Sequence, residues 1–211
     1  MTLLAQNRST WKVRGFLMVL CASLAGVLFT ACGSSAPTQN PGGSSQPGPS
    51  PVTQEQNPSG DIPDNQVFVS YHSDAGGYSL DIPEGWARSE TGPNVSFVDK
   101  LDSIKVEITS GSAAPTVQSV TDSDVPQLEQ QVEAFEKVEI TAVGLPAGQA
   151  VRIRYRANSA PDSVTGKKVR LEVDRYELFK DGKLAAISLA APAGSDNVDV
   201  WKQISSSFKW D

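Results

Sequence analysis

The sequence predicts an α+β domain built on a mainly antiparallel sheet of about 6–8 strands with helices packed on it, preceded by a signal peptide and a disordered tether. Three observations predict it. From residue 66 onward, short runs rich in Val, Ile, Tyr and Phe alternate with Gly, Pro, Asn and Asp, the pattern of strands and turns. Two stretches, 124–135 and 195–208, instead space their apolar residues at helical intervals. Ahead of residue 66 the chain is first an apolar leader and then a segment too polar to form a core.

The leader comes first. Residues 1–14 are polar and carry Arg8, Lys12 and Arg14, and Gly15–Thr30 is an unbroken apolar run of 16 residues. These are the n-region and h-region of a signal peptide, and the run is short for a permanent transmembrane helix, which wants about 20 residues. No paired arginine precedes it, which points to the general secretion route. Leu28-Phe29-Thr30-Ala31-Cys32 then resembles the bacterial lipobox, with Phe29 standing where Leu is usual. The resemblance implies cleavage after residue 31 and a diacylglycerol thioether on Cys32, which becomes the lipidation site and the new N-terminus. Two acyl chains suffice for a stable membrane anchor, at ~0.8 kcal/mol per buried methylene.

The tether follows in the segment 32–65. Between residues 33 and 60, 17 of 28 positions are Gly, Ser or Pro, and Glu55 is the only charge, so ordering entropy has nothing to offset it. A flexible linker of that length spans ~30 Å root-mean-square. The globular domain is expected over 66–211. With Arg8, Lys12 and Arg14 removed, 15 basic residues face 24 acidic ones, a net charge of -9. Such a surface repels nucleic-acid phosphates and anionic headgroups, so no nucleic-acid partner is expected and membrane residence must come from the lipid. The cysteines are Cys21, in the leader, and Cys32. The domain therefore has no disulfide, thiol nucleophile or thiolate metal site.

Within the domain, Val67–Tyr71, Tyr78–Ile82, Val95–Val98 and Ile104–Ile108 read as strands. Asp124 offers an N-cap with Gln127 three residues on, and Val125, Leu128, Val132 and Phe135 form one stripe of a three-turn helix. Strands resume at Val138–Val143, Ala150–Ala157, Lys168–Phe179 and Lys183–Ala190, the last two joined by Lys180-Asp181-Gly182, a strong hairpin signal. Apolar parity shifts after Val173 to Tyr176 and Leu178, which predicts a β-bulge near Asp174-Arg175. A last helix begins at Ser195 or Asp196 and turns Val200, Trp201, Ile204 and Phe208 inward.

Gly77-Tyr78-Ser79-Leu80-Asp81-Ile82-Pro83-Glu84-Gly85-Trp86, followed by Val95-Ser96-Phe97 and Ile104-Lys105-Val106, resembles the opening of the Mog1/PsbP-like superfamily. Ser205-Ser206-Ser207-Phe208, at the end of a helix after a hairpin, resembles its close. The resemblance covers residues 66–211 and implies the sandwich architecture. The superfamily shares a fold without a shared active site, so it implies no catalytic residue.

Few residues offer chemistry. His72 is the only histidine, and with no Gly-x-Ser-x-Gly elbow it reads as a strand-end surface residue. Asp122/Asp124 and Asp196/Asn197/Asp199 lack the calcium-loop pattern and suit helix N-termini, so no metal site is expected. Arg152, Arg154 and Arg156 alternate with Val151, Ile153 and Tyr155, which puts three guanidinium groups on one strand face. The row can contact an anion or a partner, or pair across the sheet with Glu172 and Asp174. Trp86 and Trp201 read as core and Trp210 as less constrained. No cofactor motif is present. The expectation is a monomeric, non-enzymatic binding or accessory module of an envelope complex, held at the extracytoplasmic face of the cell membrane, whose partner is an envelope protein or a small ligand. The alternative is an envelope hydrolase using carboxylate chemistry.

Overall fold

The computed structural model describes residues 60–211. The expected signal peptide, Cys32 and the tether up to residue 59 lie outside the described residues. The described residues form ten strands, three α-helices and one π-helical segment. Strands β1 (Phe68–Ser73) and β2 (Tyr78–Pro83) pair with the short β10 (Lys209–Trp210) in a small sheet. The larger sheet contains β3 (Ala87–Thr91), β4 (Asn94–Asp99), β5 (Asp102–Ser110), β6 (Glu136–Leu145), β7 (Gly148–Asn158), β8 (Arg170–Lys180) and β9 (Lys183–Pro192). Its order is β3-β4-β5-β9-β8-β7-β6, and every pairing in both sheets is antiparallel. The expected α+β architecture with a mainly antiparallel sheet is what forms.

The larger sheet is covered on both faces. One face meets β1, β2 and helix α3 (Val198–Ser207) in a core that includes Tyr78, Leu80, Phe97, Ile187, Ile204 and Phe208. Phe208 stacks on Tyr78 at 5.5 Å between ring centroids, and the Ser207 Oγ accepts the Asp81 N–H at 2.8 Å, which fixes the end of α3 to β2. The other face meets α1 (Val117–Ser119), a π-helical segment (Val120–Asp124) and α2 (Val125–Gln131) over a smaller core around Val120, Ile153, Tyr155 and Val173. Alternation along β7 sends Val151, Ile153 and Tyr155 to this second core and the arginines to the α3 side.

Two-sided cover also corrects the β-bulge expected at Asp174-Arg175. The register of β8 runs unbroken against both β7 and β9. Val173, Asp174, Tyr176, Glu177 and Leu178 are all buried, so the parity shift marks a central strand with two buried faces. The irregularity lies in β6 instead, between Lys137 and Glu139. The Asp181-Gly182 hairpin forms as expected: both residues have positive φ, 49° and 82°, and Lys180 pairs with Lys183.

The first helix starts earlier and ends earlier than the apolar stripe predicts. Its N-terminus is a capping box in which the Thr116 Oγ1 accepts the Ser119 N–H at 3.0 Å and the Ser119 Oγ accepts the Thr116 N–H at 2.9 Å. Asp124 caps nothing; it accepts the Ser123 hydroxyl at 2.7 Å. Pro126 has no N–H to donate to the preceding turn, and the wide π segment ends two residues before it, at Asp124. Val132 is already extended, and Phe135, beyond the helix, packs against Tyr155 at 5.1 Å between centroids.

Among the described residues, 60–65 are also part of the fold. Ile62 is buried, its N–H donates to the Asn197 Oδ1 at 2.8 Å, and the Asn197 Nδ2 donates to the Gly60 carbonyl at 2.7 Å. Asn197 thus gives its side chain to the segment entering the domain and makes no capping bond to α3.

Candidate functional site

A cavity of about 350 Å³ opens between α3 and the β7–β8 face of the larger sheet. It exists because small residues stand where α3 and the sheet approach: Gly144, Ala191, Ser205 and Ser206 leave unfilled volume that larger side chains would take. Leu145, Pro192 and Trp201 form its apolar side, and Arg152, Arg154, Glu172, Asp174, Tyr176 and Lys202 its polar side.

Strand register sets the polar geometry. Arg154 stands directly opposite Asp174, Arg156 opposite Glu172 and Arg152 opposite Tyr176. Asp174 is 3% exposed and carries most of the contacts. It accepts Arg154 through Nε at 2.9 Å and Nη2 at 3.4 Å, and the Tyr176 hydroxyl at 3.4 Å; the Arg152 Nη1 lies 3.9 Å away. Bidentate pairing with a buried carboxylate raises the Arg154 pKa, the hydrogen bond to Asp174 being the largest cause. Burial, reinforced by the Asp174 charge, likewise raises the Tyr176 phenol. The Arg152 Nη2 donates outward to Glu139 at 2.9 Å, while its Nε is buried and has no partner.

The three arginines singled out in sequence do not all reach the cavity. Arg152 and Arg154 line it; Arg156 lies beyond, between Glu172 at 3.0 Å and Glu136 at 3.5 Å. Glu172 and Asp174 take up the cross-strand pairing that the sequence allowed. Trp201 is half-buried on α3 and forms one wall, and Trp86 packs partly buried on the same core. Trp210 is more constrained than its terminal position suggested: it pairs in β10, meets Phe208 edge-on at 5.1 Å, and buries its indole N–H. His72 is half-exposed beside Asp74 at 2.9 Å. Tyr176, Lys202 and Ser205 were missed. Tyr176 was findable, since it continues the same strand face two residues beyond Asp174; Lys202 and Ser205 enter through the rotation of α3, which the stripe Val200, Trp201, Ile204 does not fix.

A second polar group lies on the opposite face. Arg175 bridges Glu177 at 3.0 Å and Glu107 at 3.3 Å, and Lys105 reaches Glu107 at 2.7 Å. Glu177 is 1% exposed, and burial raises its pKa. Among the described residues no group of three or more His, Cys, Asp or Glu side chains is arranged to hold a metal, and no helix is long and apolar enough to cross a membrane.

No family model matches the chain, and no curated protein matches it in sequence. Solved structures do. The solution structure of the cyanobacterial PsbP protein CyanoP from Synechocystis sp. PCC 6803 aligns with a TM-score of 0.50 at 18% identity, over 72% of this chain and 98% of that one. A protein of unknown function from Pseudomonas aeruginosa, PA94, aligns with a TM-score of 0.41 at 14% identity, over 64% of this chain and 92% of that one. LpqN of Mycobacterium tuberculosis, described as involved in cell envelope biogenesis, aligns with a TM-score of 0.39 at 16% identity, over 69% of this chain and 91% of that one. The alignment with CyanoP establishes a PsbP-like fold, and at that identity it establishes the fold alone.

Proposed function

We propose that this chain is a lipid-anchored extracytoplasmic protein whose globular domain is a non-enzymatic binding or accessory module of an envelope complex. The leader and the Gly/Ser/Pro tether around Cys32 support the location. The observation that carries the binding role is the cavity between α3 and β7–β8: a preformed concave site with an apolar wall and a few convergent polar groups.

The same cavity supplies the reason to keep a second reading. Glu172 and Asp174 line it together, two residues apart on one strand face, a spacing of ~7 Å that suits paired-carboxylate hydrolysis. Against that reading, Asp174 is held by Arg154 and Glu172 by Arg156. A general acid needs surroundings that retain its proton, and a facing guanidinium does the opposite.

Affinity capture from solubilised membranes with the tethered protein as bait separates the two. The binding role predicts a defined envelope partner and no cleavage of envelope polymers. Cleavage by the wild type that is abolished in Asp174→Asn, with no specific partner recovered, would replace it by the hydrolase.

A further inference from the structure

We infer that the cavity between α3 and the β7–β8 face binds a small amphipathic oxyanion, a carboxylate or phosphate monoester carried on an apolar body. The inference deepens the binding role by naming the ligand chemistry, and it rests on that reading. The volume, about 350 Å³, is that of a small-ligand site.

Charge selects the sign of the ligand. Three cations line the cavity, Arg152, Arg154 and Lys202, against two anions, Glu172 and Asp174; Arg152 is paired outward with Glu139 and Arg154 with Asp174, which leaves Lys202 as the charge unpaired among the described residues. An unpaired cation at the cavity is notable in a chain whose net charge is -6, where acidic partners are in excess. The acceptors are already engaged: Asp174 is bonded by Arg154 and Tyr176, and Glu172 by Arg156. The groups without partners are donors. Of the lining cations, Arg152 has a buried, unpartnered Nε, and Lys202 forms no ion pair among the described residues. An oxyanion answers the Lys202 ammonium and the Arg152 guanidinium that line the cavity; an amine would meet the same cations as repulsion.

The rest of the cavity selects an apolar body. Val143, Leu145, Ala191, Pro192 and Trp201 also line it, so a fully hydrated anion such as inorganic phosphate would leave that apolar surface unused. A neutral alcohol would use that surface and leave the unpaired charge unanswered.

The test uses a chain beginning at residue 33, which retains the tether and every described residue, titrated without detergent by calorimetry and tryptophan fluorescence. The probes are octanoate, octyl phosphate, octan-1-ol and octylamine. Saturable one-to-one binding is expected for one or both anions, with the alcohol and amine at least tenfold weaker; the ratio of octanoate to octyl phosphate decides between carboxylate and phosphate. Lys202→Gln, on an exposed side chain, and Arg152→Gln should each weaken anion binding about tenfold without affecting the alcohol, and Lys202→Glu should abolish the anion preference while leaving the thermal transition in place. Equal binding of octanol and octanoate overturns the inference, as does the absence of binding by either anion at millimolar concentration. Failure here leaves a protein partner for the module intact, whereas failure of membrane capture leaves this titration unaffected.

Discussion

Replacing Asn197 by alanine removes two hydrogen bonds that join the start of the domain to the start of α3. The side chain is 2% exposed, and its partners are the Ile62 N–H at 2.8 Å and the Gly60 carbonyl at 2.7 Å. An orphaned buried backbone donor costs about 1–3 kcal/mol, and loosening the Ile62 side chain, itself 7% exposed, adds up to about 2 kcal/mol. The expected loss is about 2–4 kcal/mol in urea unfolding of a chain beginning at residue 60, or roughly 4–16 °C in Tm at 2–4 °C per kcal/mol. A chain beginning at residue 66 lacks Ile62, so it should start less stable by a similar amount and lose little more on Asn197→Ala. That non-additivity is the signature of a direct contact. If the two truncation backgrounds show the same Asn197→Ala penalty, or if the penalty in the longer chain is under ~0.5 kcal/mol, residues 60–65 are not part of the cooperative unit.

Two further outcomes follow from buried charge. Asp174→Ala leaves Arg154 and Arg152 facing a site with no carboxylate; since Arg154 is 38% exposed at its side chain, the loss in urea unfolding is expected at about 2–4 kcal/mol, below that of a fully buried pair. Asp102 is buried with an unpartnered Oδ1, and burial together with Asp99 raises its pKa to about 6. A carboxyl whose folded pKa lies above its unfolded value holds more protons in the native state, so its contribution is greatest below about pH 4 and is lost as pH rises through about 6. Asp102→Asn should therefore gain about 2–3 kcal/mol over wild type at pH 8 and almost nothing at pH 4, measured by urea unfolding at both.

What was legible in the sequence follows from which forces leave a local trace. Half-buried strands such as Ile104–Ile108 show alternation because one face meets the core, and Asp181-Gly182 shows its turn because few residues accept positive φ. Strand β3, Ala-Arg-Ser-Glu-Thr, is an exposed edge strand with no apolar alternation, so its pairing with β4 left no pattern to read. The two-residue β10 exists only because α3 delivers the chain to β2. In β8 the pattern was visible and misread, since burial of both faces imitates a bulge. The arginine row and its carboxylate partners were legible because the strand period puts them face to face. The cavity was not, because its volume comes from small residues on β6, β9 and α3 that are distant in sequence.

We propose that this domain works from a membrane through a lipid on Cys32. Metabolic labelling of cells with a clickable fatty acid, read on the purified protein after fractionation, tests it most directly. Label is expected on the wild type in the membrane fraction, with an unlabelled Cys32→Ala protein released from it. Label retained by Cys32→Ala, or a wild-type protein that is unlabelled and recovered entirely in the soluble fraction, contradicts it.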